Sequence, residues 1–447
     1  MVSGLKTAKF GGSSVCSGDM IRTVRDIAQC DPTRRSIVVS APGSRFKGDT
    51  KVTDLLAGWA TSDAREDDAH YTEVKERFHA ICSDLGLKNF DLNDRLEQIE
   101  AAVRNRIWVS KEACRDFVMS RGEWLSAQLI AHVLEFEFID AADFVTFDDA
   151  FRYDHERTLM RAGAIGLRAR AQKGIVVPGF YGSTKMGAIV TFPRDGSDIS
   201  GSIVAALTGS SVYENFSDVD GFLATSPKIV NNPERIVEMT YDEARELAFM
   251  GSPILQPRAV KYAKDADIPI HVRKTDRDLP EGTWIRPWIE GAPKRPVTGI
   301  AARSGGFIVT VEKYGMDEQI GFLARTAKVF ADHRIGIHNC PGSVDTLSFI
   351  VLDPTFVSKI ASLSYDMELM TGANVRISRN ISVICVVGRG MLHTRGVAAT
   401  ITGALAEADI NIVMLNQGSS ERNVEVGVDD TDVHRAVSAL YAAFFGK

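Results

Sequence analysis

Lys9-Phe10-Gly11-Gly12-Ser13-Ser14 sets a cation, two glycines and two hydroxyls where a strand gives way to a helix. Backbone N–H groups at such a junction favour bound phosphate, and an ammonium beside them neutralises charge during phosphoryl transfer. A plain strand–helix turn explains the glycines equally well. Three further polar stretches carry groups of the same kind. Ser120-Arg121-Gly122-Glu123-Trp124 opens an apolar helix, with Arg121 and Glu123 at its N-terminus; there Glu123 also reads as an ordinary first-turn carboxylate. Phe192-Pro193-Arg194-Asp195-Gly196-Ser197-Asp198 precedes a helix of small residues, 201–206, as a helix-start anion site or as a simple N-cap by Ser197 or Asp198. Ser217-Asp218-Val219-Asp220-Gly221 follows a strand predicted over 212–215 and reads as a binding loop or a bare turn. All three fall on loops after strands or at helix starts, where open α/β sheets bind ligands.

Short apolar runs at 6–10, 36–40 and 175–178 read as buried strands. Between the first two lies a helix with Met20, Ile21, Val24, Ile27 and Ala28 on one face. Strands alternating with such helices imply a mostly parallel sheet covered on both sides. The stretch 286–296, with three prolines and a glycine, is the expected linker.

Beyond that linker the chain repeats itself. Gly315-Met316 returns as Gly390-Met391, an offset of 75 residues that also carries Gly321 to Gly396, Ala324 to Ala399 and Ile335-Gly336-Ile337 to Ile410-Asn411-Ile412. Each copy reads as a βαββαβ unit of the ferredoxin-like kind, with Val397, Ala398, Ile401, Ala404, Leu405 and Ala408 as the buried helix face of the second. Such units leave sheet edges that a second copy of the chain would cover, so a homodimer, or a dimer of dimers, is expected.

At 447 residues the chain is long for one domain of roughly 100–200 residues, and two or three are expected. It is 45% hydrophobic and 25% charged, ordinary for a globular protein with a full core. A net charge of −6 without a basic block argues against nucleic acid, and no apolar run is long enough for a membrane span. The opening residues show no signal-peptide apolar region. Six scattered cysteines without a CxxC pair fit reduced thiols in the cytoplasm and offer no metal site.

With these residues in view, the chain resembles aspartate kinase, of the amino-acid-kinase superfamily. The resemblance rests on KFGGSSV, SAPGSRFKGDTKVTDLL, SRGEWLSA, VVPGFYG, the GSD loop and SDVDGF in family order, and on the paired C-terminal repeats, whose VVGRGM and LNQGSSERNVEVGV are similar to the family's second ACT domain. It implies an amino-acid-kinase-like domain at 1–290, a mostly parallel sheet sandwiched by helices, followed by ACT-like units at 297–376 and 377–447. The implied reaction is ATP-dependent phosphorylation of the L-aspartate side chain, the first step towards lysine, threonine and methionine. Lys9 would stabilise the transferring phosphoryl group, with Gly11, Gly12 and Ser13 as donors. Glu123 would hold the substrate ammonium and Arg194 its α-carboxylate in a bidentate pair. Ser40 and Thr53 would lie beside the substrate, Asp198 would help orient it, and Asp218 and Lys228 would face the nucleotide, with Mg²⁺ bridging its phosphates. An amino-acid effector, lysine or threonine, would bind near Met316, Ser343, Val344 and Asp345, where Asp345 also reads as a plain turn residue.

The chain departs from the family's wording around the nucleotide. Pro193 and Asp195 stand where the loop has glycines; Leu223-Ala224-Thr225-Ser226-Pro227-Lys228 replaces a Tyr-x-x-Asp-Pro-Arg stretch. Pro253-Ile254-Leu255-Gln256-Pro257 replaces Lys-Val-Leu-His-Pro, and Lys274-Thr275 replaces Asn-Thr. Three readings follow: an aspartate kinase with a variant nucleotide pocket, a paralogue with another acceptor in specialised metabolism, and a non-catalytic amino-acid sensor. Lys9, Glu123, Arg194 and Asp198 together favour the first.

Overall fold

The computed structural model describes residues 4–61, 69–105, 108–252, 254–278, 281–291 and 293–446. Pro253 and residues 1–3, both used above, lie outside them. The chain forms two compact units. The first comprises Met1–Phe222, Arg235–Arg245 and Pro253–Ile289; the second comprises Leu223–Glu234, Glu246–Ser252 and Glu290–Lys447. The change of unit expected near 290 is thus preceded by two excursions. The first of them is tied into the second unit by backbone bonds, Ala224 donating to Glu234 and accepting from Ile300, each 2.7 Å.

The first unit is built on β1 (Lys6–Phe10), β2 (Arg34–Val39), β3 (Glu137–Phe138), β4 (Thr146–Phe147), β5 (Ile175–Pro178) and β6 (Tyr181–Thr184). It continues with β7 (Ile189–Thr191), β8 (Val212–Ser217), β9 (Glu238–Thr240), β10 (Ile270–Lys274) and β11 (Thr283–Arg286). Eight of these form one sheet in the order β3-β5-β2-β1-β8-β10-β11-β9, parallel except at β10/β11. The central strands are buried almost throughout, as the unbroken apolar runs require of a sheet covered on both faces. One covering layer includes helix Gly18–Cys30 and the long helix Lys111–Leu134; the other includes helix Gly196–Thr208. The chain runs from β1 outward to β2 on one side, while β8 lies on the other. The crevice beyond their C-terminal ends is where such sheets take ligands. No helix among the described residues is long and apolar enough to cross a membrane.

The second unit carries a five-stranded sheet. Its strands are β12 (Gly299–Glu312), β13 (Thr346–Val351), β14 (Asn374–Val387), β15 (Met414–Asn416) and β16 (Asn423–Asp429), in the order β13-β12-β14-β16-β15. The repeat is visible in the backbone. Gly321 and Gly396, 75 apart, are left-handed N-caps of helices Phe322–Asp332 and Val397–Glu407, and Arg334 and Asp409 are both left-handed just after those helices. The two copies are not strictly consecutive. β12 shifts register at Arg303/Gly306, so that 299–303 pair with 383–387 while 308–312 pair with 374–378. The fourth strand of the second copy therefore precedes the first copy in sequence. The segments 335–337 and 410–412 are irregular and lead into pairings at Asn339 and at Met414.

Candidate active site

Lys9 sits on β1 opposite Asn215 of β8, both pointing to the face that helix Gly196–Thr208 covers. Its Nζ lies 2.5 Å from Asp198 Oδ1, with the two side chains only 8% and 6% exposed. A buried pair needs its remaining lone pairs satisfied, and here they are. Asn215 Nδ2 donates to the same Asp198 oxygen at 2.9 Å, and the Gln256 N–H donates to Oδ2 at 3.0 Å. Tyr213 Oη donates to the Asp198 carbonyl at 3.1 Å. Gly201 makes room for that ring; a Cβ there would stand 2.6 Å from the phenol oxygen.

Glu123 does not open a helix. It lies in the interior of the 24-residue helix Lys111–Leu134, because the polar first turns from Lys111 onward are helical too and Ser110 caps them. Gly122 lets this helix touch the loop after β2, where a Cβ would meet that of Ala41 at 2.6 Å. Glu123 accepts the Ala41 N–H, and its Oε2 is buried with no partner. Burial pushes its carboxyl up to about 8 against the pull of that N–H and of Arg121 and Lys9. Ser40 reaches the same corner, donating to Ser197 Oγ at 2.8 Å.

Gly11 N–H is taken by the Phe216 carbonyl at 3.0 Å, which removes it from the expected phosphate donors. Gly12 and Ser13, at the head of a short 3₁₀ turn, donate their N–H groups to no described residue, and Gly12 lies so close to Gly43 that a Cβ on Gly43 would stand 2.8 Å from the Gly12 carbonyl carbon. Neither Ser197 nor Asp198 caps helix Gly196–Thr208; Asp195 does, with left-handed backbone (φ 61°, ψ 24°) and no side-chain cap bond. Arg194 and Asp195 are exposed, and Arg194 makes no ion pair with a described residue. Thr53 is half-buried in the first turn of helix Val52–Thr61, and Asp218 is exposed beyond β8, its Oδ1 accepting from Ser217 Oγ at 3.1 Å. Lys9, Asp198, Ser40 and Glu123 are thus brought together, while among the described residues Arg194, Thr53 and Asp218 share no hydrogen bond or ion pair with them. Lys228 is exposed and belongs to the second unit. Sequence reasoning missed Asn215, Tyr213 and Gln256. An amide in the buried run Val212–Ser217 was the available signal.

In the second unit Met316 is 7% exposed and packs in the core of the first repeat. Asp345 Oδ1 accepts the Gly315 N–H at 2.8 Å, so the turn and the Gly-Met loop do meet, while Ser343 and Val344 face solvent. No cluster of three or more His, Cys, Asp or Glu among the described residues could hold a metal ion.

The amino acid kinase family matches residues 6–274, and the ACT domain family residues 384–444. Aspartokinase 3 of Bacillus subtilis is 34% identical over 458 residues, spanning 99% of each chain. The chain belongs to the aspartokinase family. The solved aspartate kinase of Clostridium acetobutylicum, 32% identical, superimposes with a TM-score of 0.86 over 98% of this chain and 100% of its own. E. coli aspartokinase III, solved with aspartate and ADP, shares the fold at 24% identity and a TM-score of 0.83, covering 99% of this chain and all of that one. The Lys9–Asp198 pair and the Glu123 oxygen without a described partner lie near the C-terminal ends of β1 and β2, the end at which open α/β sheets take ligands.

Proposed function

We propose that this chain transfers the γ-phosphoryl group of ATP to the side-chain carboxylate of L-aspartate, giving 4-phospho-L-aspartate and ADP. The observation that carries the reading is the buried Lys9–Asp198 pair beside a buried carboxylate with one oxygen unpaired. The acceptor is already ionised at neutral pH, so the chain supplies no general base; it supplies position and charge. Lys9, held by Asp198, offers its ammonium to the transferring group, and the free N–H groups of Gly12 and Ser13 receive phosphate oxygens. Glu123 Oε2 takes the substrate ammonium, whose charge brings Glu123 to its ionised form. Arg194, exposed and unpaired, swings onto the α-carboxylate, with Ser40 and Thr53 beside it. Asp218 faces the nucleotide. Mg²⁺, which binds chiefly through substrate phosphates and one or two carboxylates, would neutralise the phosphate charge during transfer. Lysine or threonine would act at Asp345, Ser343, Val344 and Met316, in a homodimer or dimer of dimers.

The test is an assay with MgATP, aspartate and hydroxylamine. Coloured hydroxamate, formed only with both substrates present, is the expected result. ATP turnover without hydroxamate, or none with aspartate at any concentration, would overturn the assignment.

A further inference from the structure

Gly43, in the loop after β2, lies against the peptide that carries one of the proposed phosphate donors. Its N–H is given to the Gly12 carbonyl at 2.8 Å. A Cβ on Gly43 would stand 3.0 Å from the Ser13 nitrogen and 3.1 Å from the Gly12 oxygen, so the two segments meet backbone to backbone. In a trans peptide the C=O and the N–H that follows it point opposite ways. Fixing the Gly12 oxygen on Gly43 therefore aims the Ser13 N–H away from Gly43, and no described residue accepts it.

Gly43 is held in turn by Arg77, on helix Ala69–Leu85. Arg77 Nη1 donates to the Gly43 carbonyl at 3.1 Å; its Nη2 donates to Asp49 Oδ1 at 3.0 Å and to the Thr50 carbonyl at 3.1 Å. One guanidinium thus grips both ends of the segment 43–50. The segment is also closed on itself, Ser44 Oγ donating to the Asp49 carbonyl at 2.9 Å and the Arg45 N–H to Asp49 Oδ2 at 2.8 Å. Arg77 is only 2% exposed. A buried ion pair is a weak source of stability, since apolar residues of similar volume often do as well. What a planar fork on two carbonyls and a carboxylate does supply is fixed geometry, which the single ammonium of a lysine does not reproduce.

We infer that Arg77 is a positioning residue for phosphoryl transfer, acting through Gly43 to hold the Ser13 N–H where a phosphate oxygen arrives. The inference rests on the kinase reading above, in which Gly12 and Ser13 receive the phosphates.

Calorimetric titration of the full chain, in Mg²⁺, with adenylyl imidodiphosphate and with adenosine tests it. The first ligand carries three phosphates and the second none. Arg77→Lys and Arg77→Gln should weaken the triphosphate analogue about tenfold or more, the loss of one hydrogen bond to a charged group, and leave adenosine unchanged. Gly43→Ala, which crowds the Gly12–Ser13 peptide and leaves the guanidinium in place, should do the same. Combined with Arg77→Lys it should be no weaker than the weaker single variant, because both act on one peptide. Melting curves are recorded alongside. Equal loss of adenosine, additive losses in the double variant, or no cooperative melt in either Arg77 variant would show that Arg77 only supports the fold, and would overturn the inference. Unaltered affinity for the analogue in a folded Arg77 variant would overturn it as well. Hydroxamate formation by the parent is read separately: its absence overturns the kinase reading, whereas parity of parent and Arg77→Lys for the analogue overturns this inference alone.

Discussion

Lys9 and Asn215 are register partners on neighbouring parallel strands, and their side-chain nitrogens converge on a single oxygen, Oδ1 of Asp198. The amide therefore holds the carboxylate that holds the ammonium. Asn215→Leu keeps the volume and removes the second donor; a hydrogen bond to a charged group is worth about 1.5–3 kcal/mol. kcat should fall about tenfold to a hundredfold while KM for aspartate moves little, since the effect is on phosphoryl stabilisation. A rise in KM with kcat intact would show that Asn215 acts on the substrate instead.

With Glu123 as the proposed partner of the substrate ammonium, aspartate binding is expected to depend on pH in a defined direction. In the free protein burial raises its carboxyl from 4.5 to about 8, so at neutral pH it is largely protonated. The incoming ammonium favours the ionised form, so binding releases a proton. Apparent affinity for aspartate should improve as pH rises towards 8 and level off above it, with a limiting slope of about tenfold per pH unit below. Calorimetry in buffers of different ionisation heat measures the released proton directly. Glu123→Gln should abolish both slope and release. For the ligand-free chain the sign is opposite. A raised carboxyl stabilises fully below about pH 4.5, and that contribution is lost as pH climbs to about 8. The parent's melting temperature should therefore drop relative to Glu123→Gln across that window.

The local features of this site were readable and the long-range ones were not. The β1 run and the Gly-Gly turn announce themselves through apolar periodicity and backbone chemistry, and both stand where they were expected. Glu123 was misplaced to a helix start because Gly122 reads as punctuation. Only the approach of Ala41, 81 residues earlier, shows that this glycine makes room. Asn215 and Gln256 gain meaning only when Asp198 is between them. Similarly the 75-residue offset exposed the repeat, but the strand 299–303 that completes its second copy lies outside the repeated wording. Pairing across 80 or more residues leaves no local trace.

The loop at 193–195 separates substrate from nucleotide effects. Arg194 is exposed and makes no ion pair with a described residue, so Arg194→Ala should leave the melting temperature unchanged while costing aspartate binding about 2–5 kcal/mol. Aspartate KM unmoved by that change would remove Arg194 from the site. Asp195 holds a left-handed conformation that glycine adopts freely, so Asp195→Gly preserves the loop. It also removes a negative charge; two unit charges about 4 Å apart repel by about 4 kcal/mol at an effective dielectric of 20, less in solvent. KM for ATP should fall at low Mg²⁺ with aspartate binding unchanged. An ATP affinity constant across a magnesium titration would show that Asp195 is too far from the phosphates to matter.

Asp345 performs one task in the structure and is assigned a second, and two substitutions tell them apart. Its Oδ1 accepts the Gly315 N–H and so ties the turn after Pro341 to the loop that buries Met316. Asp345→Asn retains a carbonyl oxygen for that bond but has no charge for an effector ammonium. Asp345→Ala loses both. If the carboxylate receives lysine or threonine, both variants should lose inhibition alike, by about tenfold or more in the inhibitory concentration, as for a lost charged bond. If Asp345 only fastens the loop, Asp345→Asn should be inhibited like the parent and Asp345→Ala alone should escape. Dose–response curves for the two amino acids, read beside basal kcat, decide between them. The charge is assigned to the effector, so Asp345→Asn is expected to escape with basal turnover intact.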